Sequence, residues 1–375
     1  MKKTRLGLSI LSSFLLLAVA CRHQAPTWRG TTEEVDGVTI VKNPKEPLYP
    51  EGALVMEEEL SIGEAEGRDE YMFSELRKVA VDSRGTIYAL DMKASNVKVY
   101  DDRGVYLRTI GKRGEGPGEF QMPMWALISP KDELIVLERT RISYFALDGG
   151  FLRSVNPSAQ GIAQINFDRS GNVVGMHIVM AGENPRYELG TFGPTFELLS
   201  AFDSSPIIRT ANPGYNPFNS VLRWDMVRGQ FAVCGYAGDG YKLKFYDLDG
   251  KLIRLVQKDY DPARVTDADI EIEMRKHGFT SREEISAPEN KPPFRWIYAD
   301  EEGRIFVSTW EHLPQSEGFF YDVFDPEGRY LTRVPLNGEP QAFRDGKIYL
   351  ITLDKAGYQY IKRCKVTWKI QTDQR

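Results

Sequence analysis

The sequence is poor in the residues that usually carry metal or redox chemistry. Its 375 residues include three cysteines and four histidines, and its 48 basic side chains are fewer than its 53 acidic ones, which gives a formal net charge of -5. A chain without a basic excess is poorly suited to neutralise phosphates, so nucleic acid is not an expected partner. The composition excludes collagen, a coiled coil and a polytopic membrane protein. With 42% apolar residues, the chain can still bury a large core.

The N-terminus has the form of a targeting segment. Lys2, Lys3 and Arg5 precede an uncharged stretch over residues 6–20, which is too short to span a bilayer and is typical of a secretory signal. The stretch ends Leu-Ala-Val-Ala before Cys21 and resembles the bacterial lipobox, although Ala18 stands where Leu is commoner. The resemblance implies that residues 1–20 are a lipoprotein signal peptide and that Cys21 carries the lipid. An ordinary secretory signal is the alternative.

Removal of residues 1–20 takes away three positive charges and leaves a formal charge of -8. An acidic body does not adhere to anionic lipids, so membrane attachment is expected through acyl chains. Residues 21–50 are polar and contain several prolines, apart from a short strand over residues 38–41. We interpret them as a tether. The expected location is the extracytoplasmic side of a bacterial membrane, with the outer membrane favoured and the periplasmic or cell-surface side left open.

The body of the chain contains a recurrent turn. Asp-x-x-Gly occurs seven times, at residues 82–85, 101–104, 168–171, 247–250, 300–303, 325–328 and 354–357. Asp caps a tight turn and Gly supplies the positive φ that such a hairpin requires. Calcium loops are a weaker interpretation, since each turn offers one or two oxygens.

The turns are arranged in six units. The first hairpin of each unit is predicted at Gly85, Asp132, Gly171, Gly229, Gly303 and Gly346. Four strands for each unit predict an all-β, six-bladed β-propeller of antiparallel blades over residues 51–375. The sixth unit lacks one strand, which we expect residues 54–62 to supply, so that the N- and C-terminal strands close the ring. A β-sandwich or a pair of small barrels is the alternative. Cys234 and Cys364 fall in non-adjacent blades and are predicted to be separate buried thiols.

One unit resembles a known repeat. Residues 79–123, VAVDSRGTIYALDMKASNVKVYDDRGVYLRTIGKRGEGPGEFQMP, resemble an NHL-type propeller repeat, and their last 14 residues are similar to a segment of bacterial six-bladed propeller lipoproteins. The resemblance implies architecture rather than activity, because related propellers include binding scaffolds, sensors, lyases and hydrolases. Its glycine-rich part lacks the Gly-Lys-Ser/Thr of a phosphate loop and is interpreted as a connector between blades.

Propeller strands alternate in direction, so the two kinds of connection lie on opposite faces. The Asp-x-x-Gly turns are predicted on one face. Longer connections are predicted on the other, which we call the long-loop face: residues 112–123, 175–186, 204–221, 257–293 and 310–318. Long loops are often functional, so this face is the expected binding surface.

The longest connection, residues 257–293, is predicted to be a helical insert. Thr266 and Asp269 form a capping signal, and Gly278 is a plausible stop. Ile270, Met274 and His277 share one helical stripe, and Ser281 with Glu284 predicts a second short helix. The insert is either a lid or partner-docking helix, or a cover for apolar surface.

Large side chains recur near the start of the first strands. The candidate ligand-binding residues are Trp125, Arg223, Trp224, Arg295 and Trp296, with Lys78 and Gln164 at comparable positions. An aromatic and cationic channel mouth would suit a sugar or a peptide. The alternative is that the tryptophans pack between blades.

Catalytic motifs are scarce. No Gly-x-Ser-x-Gly elbow is present, and the histidines occur singly. His177 and His312 are the alternative metal ligands, on loops of the long-loop face. The sequence therefore predicts a non-enzymatic, membrane-anchored binding or assembly module without a cofactor, whose partner is a protein, peptide or glycan. A metal-dependent propeller lyase or hydrolase is the alternative.

Overall fold

The structure is a computed structural model. It describes residues 26–159, 161–180, 182, 184–207, 215–314, 316 and 318–369. The predicted signal peptide and Cys21 lie outside the described residues.

Twenty-six strands form six sheets. Three strands precede the first blade: β1 (Thr31–Val35), β2 (Val38–Asn43) and β3 (Leu54–Ile62). Blade 1 contains β4 (Leu76–Val81), β5 (Ile87–Asp91), β6 (Asn96–Tyr100) and β7 (Tyr106–Ile110). Blade 2 contains β8 (Trp125–Ile128), β9 (Glu133–Leu137), β10 (Ile142–Ala146) and β11 (Phe151–Val155). Blade 3 contains β12 (Ile162–Phe167), β13 (Val173–Val179), β14 (Arg186–Phe192) and β15 (Leu198–Pro206).

The other three blades follow the same order. Blade 4 contains β16 (Leu222–Val227), β17 (Phe231–Tyr236), β18 (Lys242–Tyr246) and β19 (Leu252–Lys258). Blade 5 contains β20 (Trp296–Ala299), β21 (Ile305–His312), β22 (Phe319–Phe324) and β23 (Tyr330–Leu336). Blade 6 contains β24 (Glu339–Arg344), β25 (Lys347–Leu353) and β26 (Gln359–Trp368). The helix α1 (Asp267–His277) lies between blades 4 and 5 in the chain.

The blades form a closed ring. The first strands of neighbouring blades contact one another, as β4 does with β8 and with β24. Strand β3 completes blade 6 by antiparallel pairing with β26, which places Leu54 opposite Trp368 and Ile62 opposite Ile361. The predicted six-bladed propeller and its closure by the two terminal strands are therefore confirmed. Because β3 pairs with β26, the edge of β26 is not left unpaired, and blade 6 has four strands like the other blades.

Six apolar clusters hold the ring together, one at each interface between blades. For example, Ile135 of β9 and Phe192 of β14 belong to one cluster between blades 2 and 3, and both are buried. Cys234 and Cys364 are buried free thiols in blades 4 and 6, as predicted. In the described part of the chain, no helix has the length and apolar character needed to cross a bilayer.

The Asp-x-x-Gly turns form hairpins for the predicted reason. In the first of them, Oδ1 of Asp82 accepts hydrogen bonds from the backbone N–H groups of Arg84 and Thr86, both at 2.9 Å, and Gly85 has φ +82°. The predicted placement of all seven turns on one face is wrong for residues 354–357. That turn joins β25 to β26, the second and third strands of blade 6, so it lies on the long-loop face.

The prediction that residues 21–50 form a tether is wrong for residues 31–50, which dock against the propeller. The short strand is present as β2, but β1 and β2 form a hairpin that extends blade 4, with β2 parallel to β19. Asn43 fixes this hairpin from a buried position: its side chain donates to the carbonyls of Gln257 (3.1 Å) and Gly328 (2.9 Å) and accepts from the N–H of Tyr330 (2.7 Å). A polar, proline-containing sequence docks here because its backbone groups pair with a sheet edge that the sequence alone does not reveal.

Candidate binding site at the long-loop face

A cleft of about 690 Å³ opens on the long-loop face. One wall comes from the start of β4 and from blade 6, through Leu76, Arg77 and Leu353. Blade 5 contributes Trp310, His312 and Phe319, and α1 contributes Ile272, Glu273 and Arg275. The cleft therefore lies between the insert and the mouth of the central channel, over blades 5, 6 and 1.

The insert folds as predicted around its capping residues. Thr266 and Asp269 form a reciprocal capping box at the N-terminus of α1, and Gly278 ends the helix with φ 70°. Ile270 is buried, and His277 lies against the ring of Tyr215, with 4.6 Å between ring centres. Residues 281–284 form a single 3-10 turn with its own capping box.

One ion pair joins the first turn of α1 to the C-terminal end of the insert. Oδ1 of Asp269 is 2.7 Å from Nζ of Lys291, and both side chains are about 13% exposed. Burial tends to raise the pKa of Asp269, but the bonds from Lys291 and Thr266 outweigh it and hold the pKa below its usual range. An ionised carboxylate therefore holds the start of α1 against the C-terminal end of the insert.

The predicted arginines face the channel mouth. Arg223 is on β16, and its guanidinium carbon lies 3.5 Å from the ring centre of Trp296, at the start of β20 in the next blade. Arg295 covers the ring of Phe319 at 3.7 Å and lies 5.1 Å from that of Trp310. Burial, first of all, and the nearby charge of Arg295 lower the pKa of Arg223 to about 10.

The predicted tryptophans do not share one environment. Trp224 is 3% exposed and belongs to the apolar cluster between blades 3 and 4, so the expectation that it lies at an open channel mouth is corrected. Side chains alternate along β16, and Arg223 and Asp225 therefore lie on the opposite side of the strand. Trp125 is partly buried and lies under the Lys78 ammonium, 4.4 Å from ring centre to Nζ. Thus the structure brings Arg223, Arg295 and Trp296 together and separates them from Trp224.

The channel also holds two ionisable groups deeper in the ring. Nζ of Lys78 donates to the carbonyl of Gln341 at 2.9 Å, and burial lowers its pKa to about 8. The Asp225 carboxylate accepts from the N–H groups of Met226 (2.8 Å) and Ala299 (2.9 Å), and burial raises its pKa. Both side chains link neighbouring blades along the axis.

The two candidate metal ligands have different environments. His177 lies within β13, not on a loop, and its Nε2 is 2.9 Å from Oε2 of Glu188 on the paired strand β14. His312 ends β21 and lines the cleft, with its ring 4.4 Å from that of Phe319. His177 does not line the cleft. Across the described ranges, no group of three or more His, Cys, Asp or Glu side chains is arranged to hold a metal ion.

The glycine-rich connector is fixed by Arg141. Its guanidinium donates to the carbonyl of Glu115 (2.9 Å) and to Oε2 of Glu138 (2.9 Å), while Oε1 of Glu138 accepts from the N–H of Gln121 (2.6 Å). These bonds occupy the loop's polar groups, as expected for a connector between blades rather than for a phosphate loop.

Sequence reasoning missed several cleft residues and a second cleft. Trp310, Phe319 and Glu339 line the first cleft, but only Trp310 stood in a predicted long connection. The second cleft, of about 700 Å³, lies beside the root of the insert. There Asp322 accepts from the hydroxyls of Tyr241 and Tyr330, both at 2.8 Å. No motif indicated this cluster, because its residues come from β22 and β23 of blade 5 and from Tyr241, just before β18 of blade 4.

Comparisons with known proteins support the fold. Residues 64–159, which include blades 1 and 2, match the model of a family described as a 6-bladed beta-propeller, DUF5128. An exported protein from Bacteroides fragilis has a similar structure, with a TM-score of 0.55 and 10% identity over 88% of this chain and 99% of that one. No curated protein matches the sequence.

Two solved enzymes are more distant in structure. A gluconolactonase from Xanthomonas campestris gives a TM-score of 0.46 and 10% identity, with 83% of this chain and 99% of that chain covered. Virginiamycin B lyase from Staphylococcus aureus gives 0.44 and 10%, with the same coverage. At these scores neither resemblance bears on activity.

Proposed function

We propose that this chain is an extracytoplasmic, lipid-anchored propeller that binds a partner through its long-loop face and catalyses no reaction. The observation that carries the proposal is the cleft of about 690 Å³ between α1 and the channel mouth. Its volume is in the range typical of ligand pockets. The insert that covers it is larger than a blade connection requires, and the Asp269–Lys291 ion pair joins the first turn of its helix to its C-terminal end.

The polar groups at the cleft suit recognition better than catalysis. His312 is against Phe319, and Glu273 is 3.5 Å from His277. In the described chain, no nucleophile at the cleft has an adjacent base oriented by a third group, which is the arrangement that covalent catalysis uses. The structural contacts of His177 likewise favour a strand-pairing role over metal binding, so no observation favours the lyase or hydrolase alternative.

The location rests on the sequence. The segment before Cys21 resembles a lipoprotein signal, and a protein of similar structure is described as exported. Nine residues lie between Cys21 and Thr31, the start of the docked hairpin, and the ten Cα–Cα steps from one to the other span at most about 36 Å. An anchored propeller would therefore remain close to the membrane, with blade 4 nearest the anchor.

Two variants test the proposal in intact bacteria. Cys21→Ser should release the protein from the membrane fraction, because the acyl chains that hold it are not added. Replacement of residues 262–290 by a short Gly-Ser linker should abolish partner cross-linking while the melting temperature of the ring changes little. Membrane retention by Cys21→Ser, or unchanged cross-linking without the insert, would contradict the corresponding part of the proposal.

A further inference from the structure

We infer that the channel mouth binds an acidic saccharide, whose carboxylate is held between Arg223 and Arg295. The inference rests on the proposed function and specifies a ligand at the channel-mouth side of that cleft, which Arg295 lines. It follows from two features of these guanidiniums, namely their free N–H donors and their stacking on aromatic rings.

Neither guanidinium has an acceptor among the residues that the structure describes. No residue in the described part of the chain forms a hydrogen bond or an ion pair with either side chain, whereas Arg141, Arg304 and Arg329 each contact a carboxylate. Buried nitrogens without partners do occur, for example Nε1 of Trp310. The nitrogens of Arg223 and Arg295 are not among them, so their N–H groups face open space.

The aromatic rings hold the two arginines in place. Arg223 is stacked on Trp296 at 3.5 Å and Arg295 on Phe319 at 3.7 Å. Stacking positions a planar guanidinium without using its N–H donors. The charges of Arg223 and Arg295 repel one another, so a bound anion between them would be favourable, and carboxylates fit the planar donor pattern.

Other polar side chains at the cleft are suited to bind the hydroxyl groups of a ligand. Glu339 lines the cleft, as Arg295 does, and has no ion-pair partner in the described residues. The side chain of Asn337 also lines the cleft. Acceptors of this kind bind ligand hydroxyl groups. A fatty acid has no such groups on its chain, and inorganic phosphate carries its own on phosphorus rather than on a carbon ring. Because the arginines cover the faces of Trp296 and Phe319, charge rather than ring stacking would recognise the sugar.

The test is calorimetric titration of the full-length protein in detergent micelles with D-glucuronate, D-galacturonate, D-glucose and inorganic phosphate at low salt. At least one uronate should bind ten-fold or more tightly than glucose and phosphate. Arg295→Gln and Arg223→Gln should each weaken that binding at least ten-fold, and Arg103→Gln, on the opposite face, should leave it unchanged.

Arg223 is partly buried, so Arg223→Lys serves as a second variant if the glutamine substitution unfolds the ring. The lysine keeps the charge but not the fork of donors, and this variant should also bind the uronate weakly. Uronate binding that is absent from the folded wild type, or is equal in the Arg295 variant, would overturn the inference. Phosphate binding as tight as uronate binding would overturn the saccharide assignment. Partner cross-linking that still depends on the insert would show that the proposed function survives such a failure.

Discussion

The guanidinium of Arg223 lies over the indole ring of Trp296, with 3.5 Å between the guanidinium carbon and the ring centre. The contact joins the first strands of blades 4 and 5 at the channel mouth. Each residue belongs to an Arg-Trp dipeptide, but the pairing occurs between the two dipeptides rather than within one. This arrangement turns Trp224 away from the channel and into the interface between blades 3 and 4.

Trp224→Ala should therefore destabilise the ring. The side chain is 3% exposed within an apolar cluster, and loss of a buried tryptophan costs about 3–5 kcal/mol. Urea unfolding followed by circular dichroism measures this change. Trp125→Ala, at the partly buried equivalent position, should cost clearly less; equal costs would contradict the assignment of Trp224 to the core.

Asn43→Ala should loosen the N-terminal hairpin from blade 4. The substitution leaves the carbonyls of Gln257 and Gly328 and the N–H of Tyr330 without their partner, and each unsatisfied buried group costs about 1–3 kcal/mol. Hydrogen exchange should rise in β1 and β2 before it rises in β16. Glu33→Ala, an exposed site on β1, is the control, and unchanged exchange in the Asn43 variant would show that the hairpin is not held by this residue.

Alanine variants of two turn glycines allow the cost of backbone strain to be distinguished from the cost of a steric clash. At Gly171, φ is +87° and an added Cβ meets nothing within 4 Å, so Gly171→Ala should cost about 1–2 kcal/mol from the backbone alone. At Gly104, an added Cβ would approach Leu60 at 2.8 Å, so Gly104→Ala should cost more. Unfolding free energies test the order, and the reverse order would contradict the blade 1 and blade 6 packing.

Lys78 should give the stability of the ring a characteristic pH dependence. Its pKa is about 8 in the folded state against an ordinary value of 10.5, so between these pH values the unfolded chain binds more protons and folding becomes more favourable as pH rises. Below pH 8 the cost of burying the charge is fully present. The difference in unfolding free energy between wild type and Lys78→Met should rise from pH 7 to 10.5 by at most about 3 kcal/mol.

The exposed neighbour Arg77 provides the control for that profile. Arg77→Met should give a difference that does not change over the same pH range, because arginine remains charged throughout it. A flat difference profile for Lys78→Met would mean that the ammonium is well hydrated in the channel.

Local chemistry explains what the sequence could predict. Asp82 and Gly85 determine their turn within four residues, and Thr266 and Gly278 determine the ends of α1, so strands, turns and helix were readable from spacing. The side to which Trp224 points depends on strand alternation relative to a neighbouring blade. The docking of Asn43 depends on partners more than 200 residues away. The Asp322 cluster depends on two strands of blade 5 and on Tyr241 of blade 4, and neither arrangement leaves a local pattern.

Photo-cross-linking in intact cells tests the central claim, that the long-loop face is the binding surface. A benzoylphenylalanine at Leu353 would lie in the cleft, where this side chain is 43% exposed, and one at Arg103 would lie at a turn of the opposite face. If the long-loop face binds the partner, position 353 should give a discrete adduct, and this adduct should disappear when residues 262–290 are replaced. Position 103 should give no adduct. Adducts from position 103 with none from position 353 would contradict the account.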